Sequence, residues 1–242
     1  MRYRMILSFT AAAMAFGTAG SVLAANPVTL DQAMEAFLIN HPEVLRRALA
    51  NMQAWERQQQ QSTLRDGITK NKAAIADSSA ALVAGNPAGD VTMVEFLDYN
   101  CGYCRSSAEA LSKAVEADGK VRILYKMLPV LGENSIQAAR FVLAAKMVDS
   151  AKAVHLHDIL LAHKGQLSRE VLANAGRQAG LDTDKVVAAM DDPAIATALE
   201  NAIRTAKDVG ITGTPTFVVG TEVFIGAATT EAFLERFRQA RQ

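Results

Sequence analysis

Apolar residues recur at intervals of three and four near the start of this chain. Leu30, Met34, Phe37 and Leu38, then Val44, Leu45, Ala48, Leu49, Met52 and Trp55, fall on one helical stripe. Thr29 with Gln32 forms a capping-box signature ahead of it. Pro42 cannot sit inside an unbroken helix, so it opens a second helix at its first position. Helix is therefore predicted over residues 27–62. His41 lies on the stripe and reads as a polar residue in a helix seam, not a ligand. A helix pair this short cannot make a core alone. It either pairs with copies of itself or folds back on the rest of the chain. The next stretch is polar, with four glutamines at Gln58 to Gln61, and Ile68 and Ile75 are the large apolar residues of Gly67 to Ser79. It reads as a linker over residues 63–80. Such a connector favours self-association of residues 27–62, as a trimer or dimer.

The pattern changes near Ala81. Leu82-Val83 fits a short edge strand, and Gly85-Asn86-Pro87 a turn. Val91 to Tyr99 is apolar on both faces, as a doubly covered strand should be, yet carries Glu95 within it. Helix is predicted from about Tyr103 to Ala117, burying Ala108, Leu111 and Val115 and ending at Gly119. Val121 to Met127 alternates as a second strand, completing a right-handed βαβ unit. Residues 134–208 carry no strand signal and divide into five helices, 135–148, 152–161, 168–179, 182–190 and 194–209. Strands return at Thr216 to Val219 and Val223 to Ile225 around a turn at Gly220-Thr221-Glu222, and Thr229 caps a last helix over 230–238. The order is β-α-β, a helical block, then β-β-α. This is an α/β domain over residues 81–242, with a helical insertion and an N-terminal helical segment.

Charge narrows the partners. Residues 1–24 pair a basic start, Arg2 and Arg4, with a mostly apolar run and small residues at Val22-Leu23-Ala24, the pattern of a secretory signal peptide. Without them 23 of the 25 basic residues face 25 acidic ones, a net charge of −2. That balance argues against nucleic acid. Export places the chain in an oxidising compartment.

That compartment matters because the chain has two cysteines, Cys101 and Cys104, at the end of the central strand and the start of a helix. Free N–H groups and the macrodipole stabilise an anion at a helix N-terminus. A thiol there loses its proton more readily, and the thiolate is the form that attacks disulfides. A second thiol one turn on can then resolve the mixed disulfide. Cys101 is the expected nucleophile and Cys104 the resolving thiol. A zinc site would need further ligands. His155, His157 and His163 do not supply them, because an H-x-H on a helix points its rings apart. They read as structural or solvated. A structural disulfide closing so short a loop would constrain little.

Glu95-Phe96-Leu97-Asp98-Tyr99-Asn100-Cys101-Gly102-Tyr103-Cys104, with Gly213-Thr214-Pro215-Thr216-Phe217 before the hairpin, resembles the two signatures of DsbA-like thiol–disulfide oxidoreductases. The likeness runs from about residue 81 to the C-terminus and implies a thioredoxin fold with an inserted helical domain. Suppressor-of-copper-sensitivity C proteins of this family also carry an N-terminal oligomerising segment. The resemblance implies a cis bond between Thr214 and Pro215. It gives Gly102, Tyr103, Thr214 and Pro215 substrate-binding roles, and makes Glu95 a buried acid that takes or relays the proton of Cys104. The alternative for Glu95 is an ion pair with Lys126. The Gly102-Tyr103 dipeptide and Thr214 differ from the Pro-His and Val of strong oxidases and resemble the isomerases. The expected activity is protein disulfide isomerase or reductase on exported proteins, kept reduced by a membrane redox partner, with no cofactor. A dithiol oxidase, a Cu(I)-binding envelope protein and an oligomeric chaperone are the alternatives.

Overall fold

The computed structural model describes residues 29–242. The expected signal peptide over residues 1–24, its cleavage before Ala25 and the predicted helical residues 27 and 28 lie outside the described residues. The described residues divide into two units, one ending at Met52 and the other spanning Gln53–Gln242.

In the first unit, α1 (Leu30–Asn40) begins at the capping box. The Thr29 hydroxyl accepts from the Gln32 N–H at 3.3 Å, and the Thr29 N–H donates to the Gln32 amide oxygen at 3.0 Å. His41 breaks the helix, and α2 (Pro42–Lys70) starts on the proline. The apolar stripe is left uncovered: Leu30, Met34, Phe37, Leu38, Leu45, Leu49 and Met52 are all exposed.

In the second unit, α2 continues to Lys70 and is followed by α3 (Lys72–Ala76). The remaining elements are β1 (Leu82–Gly85), β2 (Val91–Leu97), α4 (Gly102–Asp118), β3 (Val121–Met127), α5 (Glu133–Val148), α6 (Ser150–Ala162), α7 (Arg169–Gln178), α8 (Thr183–Ala189), α9 (Pro193–Val209), β4 (Thr216–Val219), β5 (Glu222–Ile225) and α10 (Thr230–Gln239). Among the described residues the strands form one sheet in the order β1-β3-β2-β4-β5. β2 and β3 are parallel, as the βαβ reading requires; the other pairs are antiparallel. β2 therefore lies at the centre, and its two faces feed two cores. Met93 and Leu97 join Leu111, Phe217 and Phe233 on the face covered by α4, α6 and α10. Val94 and Phe96 join Leu124 and Val218 on the other. On α4 the buried residues are Cys104, Ser107, Leu111 and Ala114, while the expected Ala108 and Val115 are half-buried, so the buried face is turned from the one expected.

The second face corrects the linker reading of residues 63–80. Leu64, Ile68 and Ile75 are buried against Val94, Phe96, Val209 and Ile211. Gly67 allows the approach: a Cβ there would meet the Val209 carbonyl oxygen at 2.3 Å. Two lysines clamp the segment's end. The Lys126 ammonium donates to the Ala74 and Asp77 carbonyls at 3.0 and 2.9 Å, and that of Lys146 to the Ser79 carbonyl at 2.6 Å. Burying three such aliphatic side chains is worth about 5–9 kcal/mol before entropy. That rivals a domain's whole net stability of about 5–15 kcal/mol. The segment closes the sheet; it is no spacer. The same geometry removes the Glu95–Lys126 pair. In the β2–β3 register Glu95 lies opposite Tyr125 and Phe96 opposite Lys126, and alternation sends Glu95 and Lys126 to opposite faces.

Candidate active site

Cys101 is the N-cap residue of α4, with the expected extended backbone, and is 7% exposed; Cys104, one turn on, is fully buried. Both are free thiols. The turn that delivers them from β2 is held by a residue the sequence reading passed over. Asp98 is buried, and its carboxylate accepts from the N–H groups of Asn100 (2.8 Å), Val130 (2.9 Å) and Leu131 (3.0 Å). It thereby ties the loop after β3 to the cysteine turn. Arg105 adds a second tie: it donates to the Tyr99 carbonyl at 2.8 Å and to the Gly165 carbonyl at 2.9 Å.

The second signature meets the first. β4 pairs antiparallel with β2, with Thr216 opposite Phe96, so residues 213–215 emerge beside the strand end that bears Cys101. The Cys101 thiol donates to the Thr214 carbonyl at 3.2 Å. The Thr214–Pro215 bond is cis, as the resemblance implies. Pro215 is buried, and the Thr216 hydroxyl donates to the Gly213 carbonyl at 2.7 Å, which shapes the loop. Gly102 is exposed, and a Cβ there would touch nothing within 4 Å. Tyr103 is 68% exposed at the helix start.

Glu95 lies one layer below. It is 2% exposed and lines a cavity of about 290 Å³ with Tyr125, His157 and Asp158. Burial, and secondarily the Cys101 charge, push its carboxyl up to about 8. Burial also pushes the Cys104 thiol far above its usual range; a hydrogen bond with the Asp98 backbone opposes this, and the Glu95 and Cys101 charges add to it. His157 is fully enclosed. Burial drives its pKa down to about 3, its Nδ1 is 2.8 Å from the Tyr99 hydroxyl, and its ring packs against Tyr125 at 3.9 Å between centroids. It is a structural histidine, as expected, and His155 faces solvent. The structure thus brings Cys101 against Thr214 and the buried Pro215, with Gly102 and Tyr103 exposed beside it, Cys104 buried one turn on and Glu95 buried in β2.

Comparison with known proteins points the same way. A family model described as thioredoxin matches residues 77–237. A thioredoxin-like oxidoreductase from Silicibacter pomeroyi DSS-3 is 34% identical, with a TM-score of 0.67 over 71% of this chain and 98% of that one. The thiol-disulfide exchange protein alpha-DsbA2 from Wolbachia pipientis is 28% identical, with a TM-score of 0.69 over 74% of this chain and 96% of that one. Proteus mirabilis ScsC, in a transitional conformation, is 25% identical, with a TM-score of 0.67 over 87% of this chain and 94% of that one. Among curated proteins, the Na(+)/H(+) antiporter NhaA 1 of Salinispora arenicola is 28% identical over 156 residues, 62% of this chain and 23% of the antiporter. The chain spans about a quarter of the length of the curated relatives it matches. No helix among the described residues is long and apolar enough to cross a membrane.

Proposed function

This chain belongs to the thioredoxin family and resembles DsbA-like proteins and ScsC, and from that premise we propose that it is a thiol–disulfide oxidoreductase, a periplasmic protein disulfide isomerase or reductase. The observation that carries the reading is the Cys101 thiol at the start of α4, bonded to the Thr214 carbonyl, with Cys104 buried behind it. As thiolate, Cys101 attacks a client disulfide. A mixed disulfide forms, and the client's other sulfur leaves as a thiolate. The open face at Gly102 and the exposed Tyr103 admit the client, and the backbone of Thr214 and Pro215 holds it in extended form.

Two exits follow. A client thiol can attack the mixed disulfide, which reshuffles the client and returns Cys101 unchanged. Alternatively Cys104 attacks Cys101, which releases a reduced client and leaves the enzyme as a disulfide. The second exit needs the Cys104 proton removed. Burial makes that proton hard to lose, so the mixed disulfide persists long enough for a client thiol to act. Glu95, with its pKa raised to about 8, suits the base role, since a general base works best with a pKa near the operating pH. An enzyme left oxidised by the second exit is returned to the dithiol by a membrane redox partner. The uncovered apolar stripe supports self-association through residues 27–62, as a trimer or dimer. Several thiols around one misfolded client raise the local concentration of attacking groups.

Recovery of a scrambled-disulfide substrate by the purified chain tests this reading. The expected outcome is renewed substrate activity, lost in Cys101→Ser. Failure on the scrambled substrate with rapid oxidation of a reduced one sinks the isomerase claim and makes the protein a dithiol oxidase.

A further inference from the structure

The cavity behind the cysteines does not end at Glu95. Ala108, Ser112, Asp158 and Leu161 line it, and the same four residues line a wider surface groove of about 870 Å³ that reaches Gly102. Interior and solvent therefore meet across a shared wall of α4 and α6. The inner cavity is several times the roughly 30 Å³ share of one liquid water, and Glu95, Ser112, Tyr125, His157 and Asp158 make part of its wall polar, the conditions for a short hydrogen-bonded water file.

Asp158 stands on that wall. Its residue is exposed on the groove side, yet burial still raises the pKa of its carboxyl. Glu95, Tyr125 and Asp158 line the same cavity, and the charges of both carboxylates raise the pKa of the Tyr125 and Tyr99 hydroxyls, to which burial contributes most. Glu116 also lines the cavity, but it does not reach the groove and does not act on those phenols. The charged and titratable groups around Asp158 are His155 on its own helix, Arg105, Glu109, Lys113 and Glu116 on α4, and His163 and Lys164 after α6; Glu95, Tyr125 and His157 complete the inner side.

We propose that Asp158 is the outer station of a proton path that drains Glu95 to the surface groove. The proposal rests on the thiol–disulfide exchange described above. In the resolving step the Cys104 S–H bond breaks and its proton joins a Glu95 oxygen. The Cys104 sulfur bonds to the Cys101 sulfur as the Cys101–client bond breaks, and the client leaves as a thiolate with that bond's electron pair. The client sulfur is reduced and the cysteine pair oxidised. The proton on Glu95 then passes through cavity water to the Asp158 carboxylate, and from there to bulk water or buffer. Asp158 touches no reacting sulfur. It acts through Glu95 and changes the rate of the step without changing its equilibrium.

The test uses the full chain carrying a glutathione mixed disulfide on Cys101, with release followed in one turnover, in H₂O and D₂O, with and without formate. Asp158→Asn is expected to slow release about tenfold, less than the roughly 100-fold or more of a group that makes the primary transfer. Its solvent isotope effect should grow, formate should restore the rate, and the redox equilibrium with glutathione should stay at the wild-type value. Should that variant fail to fold, Ala108→Leu, which narrows the shared wall with Asp158 intact, is expected to slow release and enlarge the isotope effect in the same way. Release at the wild-type rate overturns the path, as does slowing that neither formate nor D₂O alters, or slowing with a shifted equilibrium. A wild-type chain that never forms or resolves the mixed disulfide fails the exchange reading itself.

Discussion

Replacing Glu95 with Gln isolates the cost of the buried carboxyl. The two side chains have nearly the same shape, so the cavity and the packing of β2 are preserved. What changes is titration. In the folded chain the Glu95 carboxyl is raised to about 8, against 4.5 for the unperturbed group. Between those values the unfolded chain has released this proton and the folded chain still holds it. Folding then takes up a proton, so stability falls as pH rises. The contribution is complete below 4.5 and gone above about 8. The interval is about 3.5 in pH at about 1.4 kcal/mol each, or about 5 kcal/mol in all. The glutamine variant lacks this slope. Urea unfolding of both reduced proteins from pH 4 to 9 should give equal stabilities at the acid end. The variant should lead by several kcal/mol at about pH 8 and keep that lead above it. His157 bears on stability with the opposite sign, because its folded pKa is depressed to about 3 and its contribution is lost as pH falls. Asp158 is raised, like Glu95. Both are present in each protein and cancel in the difference. A difference that stays flat from pH 4 to 9 refutes the reasoning, because Glu95 would then titrate alike in both states.

Two further outcomes follow from the packing. Ile68→Ala removes a side chain that is 1% exposed under the sheet; it should cost about 2–5 kcal/mol in urea unfolding, whereas a true linker position would cost almost nothing. Phe37→Glu with Leu45→Glu places charge on the uncovered stripe and should turn an oligomer into a monomer by sedimentation. An unchanged mass would remove the stripe from any association.

Much of the fold was legible because its signals are local. β2 announces itself as apolar on both faces, α4 by three- and four-residue spacing, and the helical block by an absence of alternation. The cysteine mouth was legible for the same reason: each half is a short contiguous motif. The misreadings arose where meaning depends on a distant partner. Leu64, Ile68 and Ile75 are three buried positions in a mostly polar stretch, too sparse to register as a stripe, and Gly67 looks like a breaker until Val209 is seen against it. The alternative pairing of Glu95 with Lys126 stood only because neighbouring strands can be read from sequence while their register cannot. Asp98 bonds to backbone N–H groups 32 and 33 residues away, which leaves no sequence pattern at all. The cavity shared by Glu95 and Asp158 exists only after α6 has packed on α4.

The contact between Cys101 and Thr214 joins residues 113 apart in the chain. During synthesis, which begins at the N-terminus, the thiols are made long before the loop that flanks them. They therefore pass through a period without their protective neighbour, a hazard for most proteins maturing among oxidants. Here the hazard is small. The sequence holds two cysteines, so the one ring its own sulfurs can close is the one the proposed exchange uses. A thiol–disulfide oxidoreductase built this way needs no editor for its own maturation.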